Sequence, residues 1–267
     1  MQIQGNLIAL NAIQAMYSAN KAMATASERI STGLRINSSS DDPTGLIIAT
    51  GLKTNIQSVS KSIDSVNSGL AITGVVDNAL SQIASTLSDM YAIASSPDDL
   101  TDDDYDTAMT AYKAAITTLS SSAVYNGTSL MSSTTDISLG TGDFAPNSIS
   151  LTQTDLTTLG LDGGTDITDK DNASSAATLI SDAIDTVSSY QASIGAQASV
   201  LNYHMDYLDG LTTTYSGAYG KIMNADLAQE AANFASAQVK RDGATAMLAQ
   251  ANSMNKEVVS YLLKSVS

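Results

Sequence analysis

The stretch Leu52-Lys53-Thr54-Asn55-Ile56-Gln57-Ser58-Val59-Ser60-Lys61-Ser62-Ile63-Asp64-Ser65-Val66-Asn67-Ser68-Gly69-Leu70 decides the fold. Its apolar residues Leu52, Ile56, Val59, Ile63, Val66 and Leu70 recur in alternating steps of four and three, which keeps a seam on one side of a helix for a partner helix to cover. The sevenfold column runs on through Thr73, Leu80, Leu87 and Ala94, but its companion switches from Ile56, Ile63 and Leu70 to Val76, Ile83 and Met90. The spacing predicts one continuous helix that changes packing neighbours around Gly74. The alternative is an ordinary amphipathic core helix whose 3.6-residue period drifts against the repeat.

Proline marks the ends of this element. Pro43 follows Asp41-Asp42, a good cap with proline at the first helical position, and Pro97 after Ser95-Ser96 stops what Pro43 began. A second 4-3 seam runs Ile180, Ile184, Val187, Gln191, Ile194, Ala198, Leu201, Met205, Leu208, Thr212, Tyr215, Tyr219, Ile222. Each seam is long enough for a helix of about 65 Å at the usual rise per residue. Two equal long helices far apart in sequence predict a mainly α fold: a long antiparallel coiled-coil rod formed by the N- and C-terminal halves.

The ends repeat the pattern more weakly. Ile3, Leu7, Leu10 and Tyr17 form one apolar stripe near the N-terminus, and Met16, Met23 and Ile30 form a sevenfold column beside it. Met247, Ala251, Met254, Val258 and Tyr261 do the same at the other end, widened by Leu248 and Leu262. Helices this rich in Ala, Ser and Asn are marginal alone and are expected to order against each other or against another copy. The middle has a different grammar. Tyr105 to Leu119 reads as a helix, Tyr125-Asn126-Gly127-Thr128 as a turn, and Asp136 to Gly140 and Asn147 to Thr152 as short alternating strands around a turn containing Pro146. A small β-hairpin region near 125–155 is expected, then a Gly/Asp/Thr-rich loop to Asn172.

Composition narrows the function. Twelve Lys and Arg oppose 27 Asp and Glu in 267 residues, a net charge of −15 at a pI near 4.1. The excess lies in the interior: residues 62–220 carry two basic and twenty acidic residues, whereas both ends are near neutral. A nucleic-acid binder needs a basic stripe, so no nucleic-acid partner is expected, and an anionic membrane surface is disfavoured for the same reason. No apolar run is long enough to span a bilayer, and the start shows no basic segment of a secretory leader. Zero Cys, zero Trp and a single histidine, His204, leave little for nucleophilic or general acid/base chemistry, so no enzyme, catalytic residue, cofactor or metal is expected.

Two motifs at opposite ends carry a family likeness. Glu28-Arg29-Ile30-Ser31-Thr32-Gly33-Leu34-Arg35-Ile36-Asn37-Ser38, followed by Asp41-Asp42-Pro43-Thr44-Gly45, closely resembles the N-terminal signature of bacterial flagellin. Ile222 to Glu230, Met247-Leu248-Ala249-Gln250-Ala251-Asn252 and Leu262-Leu263 resemble its C-terminal signature. The resemblance covers about the first 95 and last 90 residues, and the middle is too short for outer domains, so the chain resembles a minimal flagellin. It implies an inner-tube domain of 1–32 with 224–267, a connector of 33–42 and an outer-tube rod of 43–223. Of the end residues, Ile3, Leu7, Leu10, Tyr17, Met23, Ile30, Met247, Leu248, Ala251, Met254, Val258 and Leu262 would serve polymerisation. Arg29, Gly33, Leu34, Arg35, Ile36 and Asn37 would fix the connector, with Gly33 free to take the left-handed conformation that closes a helix.

The implied function is a secreted, extracellular subunit that polymerises with itself into the flagellar filament and transmits motor torque. The partners implied are an export chaperone, the filament cap and the hook-filament junction proteins. The alternatives are a hook-filament junction protein or, from another class, a calcium-binding surface module using Asp98 to Asp106. In flagellins detected by the vertebrate receptor, the segment aligned with Leu87 to Ala94 presents two arginines and a glutamate. Leu87, Asp89, Tyr91 and Ala92 occupy this stretch here, which implies weak or no receptor activation.

Overall fold

The computed structural model describes residues 6–131, 135–138, 148–151, 157–162 and 167–264. Among the described residues five α-helices carry the fold: α1 (Leu7–Thr32), α2 (Pro43–Ser95), α3 (Asp102–Ser122), α4 (Ala173–Met223) and α5 (Leu227–Lys264). Two small antiparallel hairpins lie between α3 and α4: β1 (Val124–Tyr125) with β2 (Thr128–Ser129), and β3 (Thr135–Ser138) with β4 (Ser148–Leu151). The chain divides into two compact units, residues 1–54 with 215–267, and residues 55–214.

In the second unit the heptad reading is matched by burial. Val59, Val66, Leu87 and Ile83 are fully buried, and Thr73, Leu80 and Ala94 nearly so. The earlier companions Ile56, Ile63 and Leu70 are half-buried, whereas Val76 and Met90 are buried. The companion column therefore does change character along one unbroken helix. Covering both sides of a column needs a layer beyond the partner helix. The same unit supplies buried Tyr105, Met109 and Ile116 from α3, and Leu130 and Met131 after the first hairpin. On α4, Ile180, Val187, Ile194, Leu201 and Leu208 are buried at sevenfold spacing, and Gln191 reaches across to donate to Ser81 Oγ at 3.1 Å.

The acidic stretch after Pro97 starts α3. Thr101 Oγ1 accepts from the Asp104 backbone N–H at 3.2 Å and donates to the Asp104 carboxylate at 2.7 Å, a reciprocal cap. Lys170, in the short turn before α4, donates to the Leu100 carbonyl at 2.8 Å and sits 3.5 Å from Asp102. The first hairpin turns on Asn126 (φ 49°) and Gly127 (φ 79°), the paired left-handed residues a two-residue loop requires. The second pairs Ile137 with Ile149 and Ser138 with Ser148, and its turn, including Pro146, lies outside the described residues.

Candidate functional site

The first unit holds the residues expected to matter, and its geometry begins at two caps. Asn6 Oδ1 accepts from the Ala9 N–H at 3.0 Å and its amide donates to the Ala251 carbonyl at 2.9 Å, so one side chain caps α1 and ties it to α5. Asp226 Oδ1 accepts from Ala228 and Gln229, which starts α5. Between these ends the helices run antiparallel: Asn6 meets Ala251, Met16 meets Thr245 and Arg29 meets Glu230.

The seam between α1 and α5 is an alanine column. Ala9, Ala12, Ala19 and Ala26 are buried on one helix, and Ala237, Ala244 and Ala251 on the other. Half-buried Met16 and Met23 alternate with alanine on α1, and Phe234, Arg241 and Leu248 do so on α5. Side chains this small let the backbones approach closely. Each contributes roughly one methyl, about 0.8 kcal/mol, where a core leucine contributes about 1.5–3 kcal/mol.

The large apolar residues of the N-terminal stripe are not in this seam. Leu7, Leu10 and Tyr17 are 68%, 60% and 72% exposed. Leu10 and Tyr17 stand two positions before Ala12 and Ala19, about 200° round the helix, and so face away from α5. Ile30, Met247 and Met254 are also exposed. Met23 and Leu248 are half-buried and Ala251 is buried, so these three belong to the seam within the chain and not to an outer face. Ile3 and the side chains of Val258 and Leu262 lie outside the described residues. One flank of the pair is a shallow groove bordered by Ser18, Ala22, Thr25, Ser236 and Lys240.

The connector is a clasp of backbone bonds. Gly33 closes α1 at φ 70°, its N–H donating to the Arg29 carbonyl at 2.9 Å. Leu34 and Asn224 form an antiparallel bridge, with Arg35 N–H donating to Met223 O at 2.6 Å and Ala225 N–H to Gly33 O at 2.9 Å. The Arg35 guanidinium donates twice to the Ile222 carbonyl, at 2.8 and 3.2 Å, where a cation favours the end of α4. Ile36 is 2% exposed and buried with Ala49 and Met223, against Leu34, Leu46, Tyr219 and Ile222. Asn37 donates to the Leu34 carbonyl at 3.2 Å.

The Asp41 carboxylate accepts from the Ser38 and Asn37 N–H groups at 2.9 and 3.0 Å and from the Ser38 hydroxyl at 3.2 Å. The Ser38 and Asn37 backbone bonds hold its pKa below the ordinary carboxylate value. Asp42 Oδ1 accepts from the Gly45 N–H at 2.9 Å and starts α2.

Two residues here escaped sequence reasoning. Glu230, 9% exposed, holds Arg29 at 3.0 Å and accepts from Asn233 at 3.3 Å. Arg29, expected among the connector residues, pairs across the helices, because its position on α1 faces α5. Gly45 is the other: a Cβ there would stand 2.8 Å from Ile36 Cδ1 and from Asp42 Cγ. In the receptor-aligned segment, Leu87 is buried in the heptad column, which leaves Asp89, Tyr91 and Ala92 on the surface. His204 is half-buried on α4. Among the described residues no three His, Asp or Glu side chains converge to hold a metal ion, and no helix is long and apolar enough to cross a membrane.

Comparison with known proteins identifies a family. The family model of the bacterial flagellin N-terminal helical region matches residues 3–136, and that of the C-terminal helical region matches residues 177–262. A flagellin of Halalkalibacterium halodurans is 28% identical over 98% of this chain and all of its own length. One of Listeria monocytogenes is 28% identical over 94% of this chain and 96% of its own. A crystal structure of Bacillus cereus flagellin, 21% identical, covers 53% of this chain and 86% of its own with a TM-score of 0.45.

Proposed function

The chain belongs to the bacterial flagellin family, and from that premise we propose that the outward faces of α1 and α5 are its polymerisation surface. The protein is a structural subunit that polymerises into the extracellular flagellar filament, and it is not an enzyme. The observation that supports the surface is the inversion found on α1: alanines face the partner helix while Leu7, Leu10 and Tyr17 face out. A soluble protein seldom leaves so many large apolar residues in a row on one helix unless a partner covers them. A ridge on one face and a groove on another suit head-to-tail contact, the kind that gives open helical polymers instead of closed dimers.

In this reading residues 1–32 and 224–267 form the inner tube, 33–42 the connector, and 43–223 the outer tube. The clasp of Gly33, Leu34, Arg35, Ile36 and Asn37 with residues 222–225 then carries torque between the tubes. The weak alanine seam suits a chain kept unfolded at its ends by an export chaperone and folded only under the filament cap, beyond the hook-filament junction proteins. With Asp89, Tyr91 and Ala92 where responsive flagellins place charged residues, activation of the vertebrate receptor should be weak; a nanomolar response in a reporter assay would contradict this.

Deleting the last twenty residues tests the polymerisation surface. Helicity of residues 55–214 should survive and filaments should be absent under electron microscopy after precipitant-induced assembly. Normal filaments from the truncated chain would overturn the assignment.

A further inference from the structure

We infer that Glu230, through its ion pair with Arg29, sets the register in which α1 lies against α5. The need for such a residue comes from the seam itself. Ala12, Ala19 and Ala26 recur every seven residues, as do Ala237, Ala244 and Ala251. Sliding one helix by a heptad lays alanine on alanine again, so the apolar contact discriminates poorly between registers.

The polar contacts do not repeat. Arg29 and Glu230 form the one ion pair between α1 and α5 among the described residues. Glu230 is buried in the seam, and its second oxygen is held by Asn233 at 3.3 Å. A slip of seven residues brings Arg29 opposite the neighbourhood of Ala237 or of Asn224, and carries Glu230 to the neighbourhood of Ile36 or of Ala22, out of reach of the Arg29 guanidinium. A buried charge stripped of its partner is penalised far more than a lost surface contact, and a lone polar contact specifying register is the best-attested use of such pairs in coiled coils. The Gly33–Ala225 and Arg35–Met223 bonds would break in a slip as well. They join backbone at the edge of the clasp, where Arg35 is exposed and water can replace a partner. The discriminating cost therefore falls on this charge, together with the burial of Ile36 at the clasp. Glu230 is a positioning residue, since it acts by placing α1 and hence the outward face that α1 carries.

The chain has no cysteine, so engineered pairs report register cleanly. Met16 touches Thr245, so Met16→Cys with Thr245→Cys reads the observed register. Met16→Cys with Gln238→Cys or with Asn252→Cys reads the two one-heptad slips. Each pair is placed in the full-length chain, co-assembled with excess unsubstituted chain, and oxidised with copper phenanthroline. Polymerisation is scored on the unsubstituted chain alone, so its failure, which counts against the filament reading, stays separate from a failure of register.

With Arg29 and Glu230 intact, only the 16–245 cross-link should form. Glu230→Leu and Arg29→Glu should each raise the slipped cross-links at least tenfold, and the double swap Arg29→Glu with Glu230→Arg should restore the 16–245 product. A residue that merely added stability would lower the total cross-link yield without creating the slipped products. The inference is overturned if both single variants give the 16–245 product alone. Should the single variants leave the helices unpaired with no product, the swap decides: its failure to restore 16–245 overturns the inference equally.

Discussion

Ile36 closes over Gly45: a Cβ on the glycine would stand 2.8 Å from the Ile36 Cδ1 atom. Ile36 is the buried anchor of the connector and Gly45 lies in the first turn of α2, so the close approach fixes where that helix leaves the clasp. Gly45→Ala should force Ile36 or the Asp42 carboxylate, which lies nearer still, to move, costing about 1–3 kcal/mol, typical of overpacking. Chemical denaturation followed at the first unit should show the loss, and an unchanged midpoint would contradict it.

Seam and outer face of α1 should respond oppositely to substitution. Ala19→Leu puts a branched side chain where the helices meet and should destabilise the pair by about 1–3 kcal/mol. Tyr17→Ala, at an exposed position, should leave folding within about 0.5 kcal/mol and yet reduce polymerisation. Melting curves and sedimentation of assembled polymer separate the two effects. Equal polymer yield from Tyr17→Ala and the unsubstituted chain would contradict the surface assignment.

Acid should loosen the connector first at Asp41. Its folded pKa is depressed by the Ser38 and Asn37 N–H bonds, so its contribution is present above the unfolded carboxylate value of about 4 and is lost as pH falls through the lower folded value. Asp41→Asn, which removes the charge these bonds favour, should blunt this acid sensitivity. Hydrogen exchange at residues 37 and 38 across that range is the measurement, and identical acid profiles for both proteins would rule the mechanism out.

Alkali should act on the other unit through Tyr105, which is fully buried and whose hydroxyl meets no partner among the described residues. Burial, then the nearby Asp169 charge, raise its pKa. Its contribution is therefore intact below the unfolded value of about 10 and declines as pH rises through the higher folded one. Tyr105→Phe should be neutral or stabilising by up to about 1 kcal/mol near neutral pH and should flatten the alkaline decline, both readable by thermal melting.

Salt should favour assembly. Residues 62–220 carry two basic and twenty acidic residues, and every Asp on the described helices α2, α3 and α4 among them is exposed. Neighbouring copies repel until ions screen them, and the Debye length shrinks from about 10 Å at 0.1 M to about 3 Å at 1 M. Turbidity should rise faster in molar salt, and faster growth at low salt would argue that these carboxylates do not face one another.

What could be read ahead of the fold follows from signal strength. The sevenfold columns from Val59 to Ala94 and from Ile180 to Leu208 consist mostly of large apolar side chains, whose burial dominates the energetics, so period and burial agree along them. Gly33 was legible for a similar reason: a glycine between two helical runs marks a left-handed cap, and it has φ 70°. The α1 seam was not legible, because alanine carries little hydrophobic signal, and the conspicuous Leu7, Leu10 and Tyr17 are conspicuous for an outward face.

The sequence by itself determined the long helices, the caps at Asp42 and Gly33, the breaks at Gly33 and Pro97, and the charge divided between interior and ends. These are local properties, written in backbone preference and in a period shorter than one heptad. Only the tertiary structure decided that Arg29 meets Glu230, that Arg35 reaches Ile222 and that Gly45 lies under Ile36. The two interhelical contacts join residues some two hundred positions apart, and the third depends on the connector folding back. An alanine seam accepts several registers at similar cost, so which contacts form is settled by the polar groups that find partners once the helices are side by side.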